Sequence, residues 1–250
     1  MLMLLAIVAI GIVGLAYLLY NVKNLIFTPK CQFIEISIED ENFLLVSDLH
    51  IATKQLRKSD LHKIGDYMAR ENIRSLFILG DLFDDFHKKI STEHLSRELK
   101  KALKLLKLPE KSQIFITFSR NSHDPIISAD KIELTLDSLN IIAANKPIRL
   151  RAGETTLILL HGDLAVKNGA LAYIINKVGN YFQRKYFVEE SLKKKLGINK
   201  DSWLVMGHTH IPFINKELKI ANTGCWKHYW REESDTAILY RNGELMLVKI

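Results

Sequence analysis

Cysteine is almost absent from this chain. Cys31 and Cys225 are the only two among 250 residues. This scarcity excludes a disulfide framework and the paired cysteine spacing of a zinc finger, and it fits a reducing compartment. Internal repeats and low-complexity segments are also lacking, which excludes repeat architectures.

Charge is missing from the first twenty residues, "MLMLLAIVAIGIVGLAYLLY". At about 1.5 Å per residue, such a helix matches a hydrocarbon core of about 30 Å. A signal peptide would open on Lys or Arg and carry a shorter apolar run, and a buried core helix would show a polar face. We therefore predict a transmembrane anchor over residues 1–22, a linker over 23–32 and one domain over 33–250.

Basic residues follow the apolar run and do not precede it, as Lys23 and Lys30 show. The positive-inside tendency then predicts a single-pass membrane protein whose main domain is cytoplasmic. Over the whole chain, 35 Lys and Arg oppose 28 Asp and Glu, a net charge of +7. This balance indicates an anionic partner, such as a phosphate, a membrane surface or nucleic acid.

Apolar strands alternate with helical patterns in the main domain, which predicts an α/β fold. A hairpin is expected at Asn242-Gly243 because this dipeptide favours a tight primed turn. A helix is predicted from Ser91 onward, with an apolar stripe at helical spacing. The stripe consists of Leu95, Leu99, Ala102, Leu103 and Leu106.

Five apolar runs end in Asp, Asn or His. Taken singly, each of these ends also fits a helix cap or a solvated turn. Together they are informative, because the carboxyl ends of strands in α/β sheets gather around ligands and five of the nine histidines lie there. Mixed carboxylate, amide and imidazole groups suit two borderline divalent ions, with one carboxylate shared between them. The run ends carry Asp48 with His50, Asp81 with Asp84, Asn121 with His123, His161 with Asp163, and His208 with His210.

The order D-x-H, G-D-x-x-D, N-H, H-G-D, G-H-T-H over about residues 43–226 resembles the calcineurin-like metallophosphoesterase superfamily. The resemblance implies a four-layer α/β sandwich, in which two mixed β-sheets are flanked by helices, preceded here by the transmembrane helix. The segments "GDLFDD", "LHGD" and "GHTHIP" look most similar to the UDP-2,3-diacylglucosamine hydrolase branch, which cleaves a pyrophosphate at the membrane surface. That branch usually carries Arg where this chain has His123.

The resemblance also implies roles for individual residues. His123 would protonate the leaving oxygen, with Asp84 orienting its ring. The ions would be two divalent metals, Mn²⁺ in the first place and Fe²⁺, Zn²⁺ or Ni²⁺ as alternatives. The implied ligands are Asp48, His50 and His210 for the first ion, Asn121, His161 and His208 for the second, and Asp81 as the bridge.

One motif departs from the family pattern. The family reads G-N-H-D, and this chain reads R-N-S-H-D. Without a gap, Ser122 falls on the ligand position; with one inserted residue, Asn121 keeps it. We expect Asn121 to be the ligand. A serine hydroxyl there would weaken the second metal site.

A basic insertion covers residues 164–201. From 167 to 200 it carries eight Lys or Arg against Glu189 and Glu190. Two interpretations stay open: a helix that lies at a membrane surface, or a cap helix packed on the domain with its basic face in solvent. The apolar stripe of this segment consists of Leu171, Ile174, Ile175, Val178 and Phe182.

These observations predict a metal-dependent hydrolase of phosphoester or pyrophosphate bonds. Its substrate would be a phosphorylated small molecule, nucleotide-linked or lipid-linked, reached at the membrane, and nucleic acid is not the expected substrate. The alternative is a catalytically weak or inactive scaffold of the same fold at the membrane.

Overall fold

The computed structural model describes residues 2–39, 42–51, 58–84, 86–227 and 234–250. Five helices lie in this part of the chain: α1 Leu2–Ile26, α2 Lys58–Arg70, α3 Thr92–Leu106, α4 Gly169–Tyr181 and α5 Phe187–Lys195. The strands are β1 Ile34–Ile38, β2 Asn42–Val46, β3 Ser75–Leu79, β4 Gln113–Thr117, β5 Lys131–Leu136, β6 Leu139–Ala144, β7 Ile148–Ala152, β8 Thr155–Leu159, β9 Trp203–Met206, β10 Phe213–Asn215, β11 Ile220–Asn222, β12 Thr236–Arg241 and β13 Glu244–Lys249.

The strands form two mixed sheets. One has seven strands in the order β13-β12-β2-β3-β4-β6-β5, and the other has six in the order β1-β7-β8-β9-β11-β10. In the first sheet β2, β3, β4 and β6 run parallel, and in the second β8, β9 and β11 do. The parallel strands bring the predicted polar ends to common edges.

The two sheets pack face to face. Strands β2, β3 and β4 contribute large buried side chains to the space between them, and β7, β8 and β9 contribute from the other side. The segment "SDLH" follows β2, a strand that is buried on both faces, as is typical of parallel strands. Buried residues of this inner core include Phe43, Phe77, Phe115, Leu150, Leu159 and Val205.

Helices α2 and α3 cover the outer face of the seven-stranded sheet. Helix α3 begins after Ser91, whose side chain accepts a hydrogen bond from the His94 N–H, the usual N-cap arrangement. All five predicted stripe residues of α3 are buried. The predicted hairpin is also confirmed, because Arg241 pairs with Glu244 across Asn242-Gly243.

Helices α4 and α5 lie on the outer face of the six-stranded sheet, where Val188 and Leu192 are buried. The molecule thus has the four-layer arrangement that the motifs imply, with helices outside two sheets. Part of the apolar stripe of α4 packs inward, because Leu171 and Ile175 lie against the buried core under the helix. Ile174, Val178 and Phe182 are exposed, so both interpretations of this segment stay predictions.

Helix α1 contains a stretch, Ile7–Ile26, long and apolar enough to cross a membrane. The helix continues to Ile26, four residues beyond the expected end of the anchor. Its last turns bind the domain: Asn24 Nδ2 donates to the Leu164 carbonyl at 2.6 Å, and the Lys167 N–H donates to the Asn21 carbonyl at 3.2 Å. The end of α1 is therefore part of the folded domain.

Candidate metal centre

The turns after β2, β3 and β9 hold their polar residues in an unusual backbone conformation. The φ angles of Asp48, His50, Asp81, His208 and His210 are 53°, 45°, 48°, 71° and 58°. Side-chain-bearing residues seldom adopt this left-handed region, and each costs on the order of 1–3 kcal/mol. Five of the thirteen described non-glycine residues with positive φ are therefore predicted ligands, and such strain occurs at functional sites.

A first cluster consists of Asp48, His50 and His210. One ligand-type atom from each lies within 4.8 Å of the others, and His210 Nε2 is 3.0 Å from Asp48 Oδ1. Among the described residues, neither ring nitrogen of His50 nor Nδ1 of His210 has a hydrogen-bond partner, although all three atoms are buried. Buried polar atoms are seldom left unpaired, so this cluster fits a cation.

A second cluster consists of Asp81, His161 and His208. His161 Nδ1 lies 2.9 Å from the Leu79 carbonyl oxygen, and His208 Nε2 lies 2.6 Å from that of Val166. Each ring must donate its N–H to that carbonyl. Because the other nitrogens, His161 Nε2 and His208 Nδ1, are 3.0 Å apart, two lone pairs face each other beside Asp81. Only a proton or a metal ion satisfies that arrangement, and carbonyl-fixed histidines are typical of metal sites.

Charge within the clusters shifts the ionisation of their members. Burial opposes it, yet the charges of Asp81 and Asp48 raise the pKa of His161. Burial and the neighbouring His161 lower the pKa of His208 to about 4. In the first cluster, Asp48 raises the pKa of His210 to about 10 despite burial. Positive charge is therefore favoured in both clusters, as a metal site requires.

Asp81 lies between the two clusters. Its Oδ2 is 3.2 Å from His161 Nε2 and 3.9 Å from His50 Nε2. Burial opposes ionisation, but the charges of the neighbouring histidines, led by His161, hold the pKa of this carboxyl well below its usual range. The position and charge of Asp81 suit a bridge between two ions.

The segment "RNSHD" takes the ungapped arrangement. Asn121 turns away from Asp81: both its backbone N–H and its Nδ2 donate to Asp163 Oδ2, at 2.7 and 3.1 Å. Ser122 Oγ instead donates to Asp81 Oδ2 at 3.0 Å. Ser122 rather than Asn121 therefore contacts Asp81, and the expected role of Asn121 as a metal ligand stays a prediction. The physical reason is that the Asp163 carboxylate also holds the Arg120 N–H and so fixes the loop.

His123 lies at the mouth of the site. Its side chain is 43% exposed, and its Nδ1 is 3.6 Å from Asp84 Oδ1. The same oxygen is 3.4 Å from His50 Nδ1 and 3.4 Å from Lys227 Nζ. Partial burial lowers the pKa of His123, while the contacts to His50 and Lys227 lower that of Asp84. His123 is the predicted site residue that can reach a substrate from solvent.

Two aspartates that the sequence analysis gave no role support the site. Asp124 accepts hydrogen bonds from the N–H groups of Asp81, Phe83 and Ser119 at 2.7, 3.1 and 2.9 Å, which ties the loop after β4 to the loop after β3. Asp163 fixes the "RNSHD" loop. Both follow a predicted strand end, in "NSHD" and "HGD", and this position was the available signal.

Glu189 of α5 supports the "GHTH" turn from behind. Its Oε1 accepts from Thr209 Oγ1 at 2.8 Å and from Asn222 Nδ2 at 3.2 Å, and its Oε2 accepts from Asn176 Nδ2 at 2.8 Å. Burial raises the pKa of Glu189. A glutamate in a basic insertion carries no sequence signal for this role.

The chain is similar to known proteins in sequence and in fold. No family model matches the chain. A UDP-2,3-diacylglucosamine hydrolase from Blochmanniella pennsylvanica is 24% identical over 230 residues, which cover 75% of this chain and 89% of that protein. A solved structure, the phosphoesterase Yfce from E. coli, aligns with a TM-score of 0.40 and 13% identity over 84% of this chain and 99% of the other. The sequence similarity to that hydrolase agrees with the resemblance carried by the ordered Asp and His motifs.

Proposed function

We propose that the chain is a dinuclear metal-dependent hydrolase of phosphoester or pyrophosphate bonds. The observation that carries the proposal is the position of Asp81, whose Oδ2 lies 3.2 Å from His161 Nε2 of one cluster and 3.9 Å from His50 Nε2 of the other. The first cluster would hold one ion, and the second cluster, with Ser122, would hold the other. Mixed oxygen and nitrogen ligands suit Mn²⁺, with Fe²⁺, Zn²⁺ or Ni²⁺ as alternatives.

When bound, two such ions supply Lewis-acid chemistry at phosphorus. The residues of the chain do the rest. Asp81 would help to hold both ions, and the Leu79 and Val166 carbonyls fix the rings of the second cluster. His123, exposed at the mouth and adjacent to Asp84, would protonate the leaving oxygen, because a partly solvated imidazole can take up and deliver a proton near neutral pH.

The substrate class follows from the relative and from α1. The relative is named for hydrolysis of UDP-2,3-diacylglucosamine, and this supports a phosphorylated, lipid-linked substrate. Helix α1, with its apolar stretch Ile7–Ile26, supports attachment to a membrane. Lys23 and Lys30 on its carboxyl side favour a cytoplasmic domain.

A second function, an inactive binding scaffold, is favoured by one observation. Ser122 lies beside Asp81 where the family carries asparagine, and a neutral hydroxyl is a weaker ligand than an amide oxygen. In that case the second cluster would hold little metal, and the fold would serve to bind a phosphorylated partner.

The test uses the full chain in detergent with Mn²⁺. Hydrolysis would be followed on a p-nitrophenyl phosphomonoester, a bis-p-nitrophenyl phosphodiester and a UDP-linked pyrophosphate, with metal content measured on the same preparation. We expect chelator-sensitive turnover and close to two metals per chain. Two bound metals with turnover of the pyrophosphate alone would narrow the substrate class. Absence of turnover on all three, with at most one metal bound, would establish the scaffold instead.

A further inference from the structure

The outer face of α4 is apolar and uncovered. Ile174, Val178, Tyr181 and Phe182 are 51%, 52%, 84% and 68% exposed. Ile174, Val178 and the C-cap residue Phe182 follow one another every four residues, and Tyr181 lies three residues after Val178, which places them on one side of the helix. The opposite side holds Ala172, which is buried. Helix α4 therefore packs on the domain through Leu171, Ala172 and Ile175 and presents a second apolar strip outward.

Basic residues border this face. Lys177 lies within α4, and Arg184 and Lys185 follow its end, all three with exposed side chains. The sequence from 164 to 188 contains no Asp or Glu. Apolar and aromatic side chains edged by Lys and Arg, without acids, match the boundary between acyl chains and anionic headgroups. A protein partner for this face would need an apolar surface that is bordered by acidic residues.

Helix α4 begins between α1 and the metal centre. Asn168, its N-cap, has its Nδ2 3.5 Å from Tyr17 Oη of α1, and Lys167 Nζ lies 3.4 Å from the centroid of the Tyr20 ring. A Cβ at Gly169, the first residue of α4, would meet the His208 carbonyl oxygen at 3.3 Å. Tyrosines near the end of an apolar helix mark the membrane interface, so if the uncharged residues 1–20 cross the bilayer, α4 starts at the level where α1 leaves it.

We propose that the outer face of α4 is a second membrane contact, whose occupant is an anionic bilayer. Ile174, Val178, Tyr181 and Phe182 enter the headgroup boundary, while the flanking Lys and Arg lie among lipid phosphates. The inference rests on the proposed membrane attachment through α1 and does not require the proposed hydrolase activity. Contact at α1 and α4 fixes the orientation of the metal centre relative to the lipid, which α1 alone would leave free to tilt.

The experiment places a reporter on this face in the full chain. Val178→Cys, in a Cys31→Ser background, is labelled with an environment-sensitive fluorophore and reconstituted in phosphatidylcholine vesicles with phosphatidylglycerol. Cys225 is buried and stays unlabelled. Lys104→Cys, exposed on α3 in the opposite outer layer, is the matched control. We expect blue-shifted emission and several-fold stronger quenching by headgroup-level nitroxide lipids at position 178 than at 104.

Two outcomes overturn the proposal. Equal quenching at the two positions, with α1 shown to be inserted by resistance to carbonate extraction, means that α4 does not touch lipid. A blue shift at 178 without lipid quenching means that protein, such as a second copy of the chain, covers the face. Neither readout involves turnover, so failure of the hydrolase proposal stays distinguishable from failure of this one.

A functional comparison provides an independent readout. The variant Ile174→Ser/Val178→Ser/Phe182→Ser removes the apolar face and leaves every residue of the metal centre in place. For a lipid-linked phosphate ester in vesicles, we expect turnover to fall several-fold, while turnover of a soluble ester is unchanged. An unchanged rate on the vesicle-borne ester contradicts the proposal.

Discussion

The two clusters of the metal centre differ in their set of ligand side chains and in how those side chains are held. The first has a full set of Asp and His side chains, yet three of its buried nitrogens have no hydrogen-bond partner among the described residues. The second has its rings fixed by backbone carbonyls, yet Ser122 stands where a stronger ligand is expected. The number of ligands and the orientation of ligands can therefore vary independently within one site. We expect the two ions to bind with different affinities.

Loss of Asp81 should weaken metal binding in both clusters, because this carboxylate lies beside both. We expect Asp81→Ala to bind neither ion firmly. Turnover should fall by on the order of 10³, since a dinuclear site contributes several kcal/mol at about 1.4 kcal/mol per tenfold change. Metal content and steady-state rates of the full chain would measure this. Glu133→Ala, an exposed carboxylate on β5, is the control and should behave as wild type. Two tightly bound metals in Asp81→Ala would refute the bridging role.

Removing one histidine from each cluster in turn should reveal the difference in metal affinity between the clusters. His210→Ala leaves Asp48, His50 and Asp81 around the first ion, whereas His208→Ala leaves only Asp81 and His161 with the weak hydroxyl. Both variants should lose at least the 10–100-fold in metal affinity that even outer-sphere changes cause. The loss should be greater in His208→Ala. Calorimetric titration with Mn²⁺ would compare them, and equal losses would show that Ser122 does not limit the second ion.

Replacing Ser122 by asparagine, the side chain that the resemblance predicts, should reduce the difference in metal affinity between the clusters. An amide oxygen in Ser122→Asn can bind the second ion directly, and we expect its affinity to rise by about tenfold, or about 1.4 kcal/mol. Ser122→Ala is the matched control and should bind no better than wild type. The measurement is the metal content after dialysis against graded chelator. If the Asn and Ala variants lost metal alike, the ligand position would lie elsewhere in the loop.

A change at Glu189 should affect both clusters equally, because Thr209 separates His208 from His210. Glu189→Gln places an amide N–H against the donors of Asn176 or Thr209. Leaving such groups unpaired costs about 1–3 kcal/mol, a few degrees in melting temperature for a domain of this size. Unequal effects on the two metal affinities would show that Glu189 supports one histidine alone.

The same variant carries a pH signature. Burial raises the pKa of Glu189 in the folded chain above its ordinary value of about 4.3. The stability that this group contributes is therefore fully present below that ordinary value and is lost as pH rises through the raised pKa. Glutamine does not titrate. The deficit of Glu189→Gln should shrink as pH rises from about 4 through the raised pKa, measured by thermal unfolding in chelator. A deficit that grows with pH would contradict the raised pKa.

Much of the fold could be read from local pattern. The α3 stripe and the Asn242-Gly243 hairpin follow from helical spacing and turn chemistry, and both were confirmed. The gathering of Asp48, Asp81 and His208 follows from parallel strands, whose carboxyl ends share an edge. These features depend on residues close in sequence or on a general rule of sheet topology.

The remainder depends on contacts between distant parts of the chain. Whether Asn121 or Ser122 faces Asp81 is decided by Asp163, which lies about forty residues away and captures the loop backbone. The outward face of α4 could not be told from a packed one, since an apolar stripe looks the same against protein or lipid. The role of Glu189 required knowing that α5 lies behind the "GHTH" turn.

Hydrogen bonds join the end of α1 to the segment 164–168: Asn24 donates to the Leu164 carbonyl, and the Lys167 N–H donates to the Asn21 carbonyl. That segment includes Val166, whose carbonyl orients His208, so no slack tether separates α1 from the metal centre. In a chain whose α1 spans a bilayer, the height of the site above the lipid is then set by a few side chains. Such an enzyme would sample molecules confined to a plane. Their effective concentration would depend on area density, and molecules free in bulk solution would gain nothing from the arrangement.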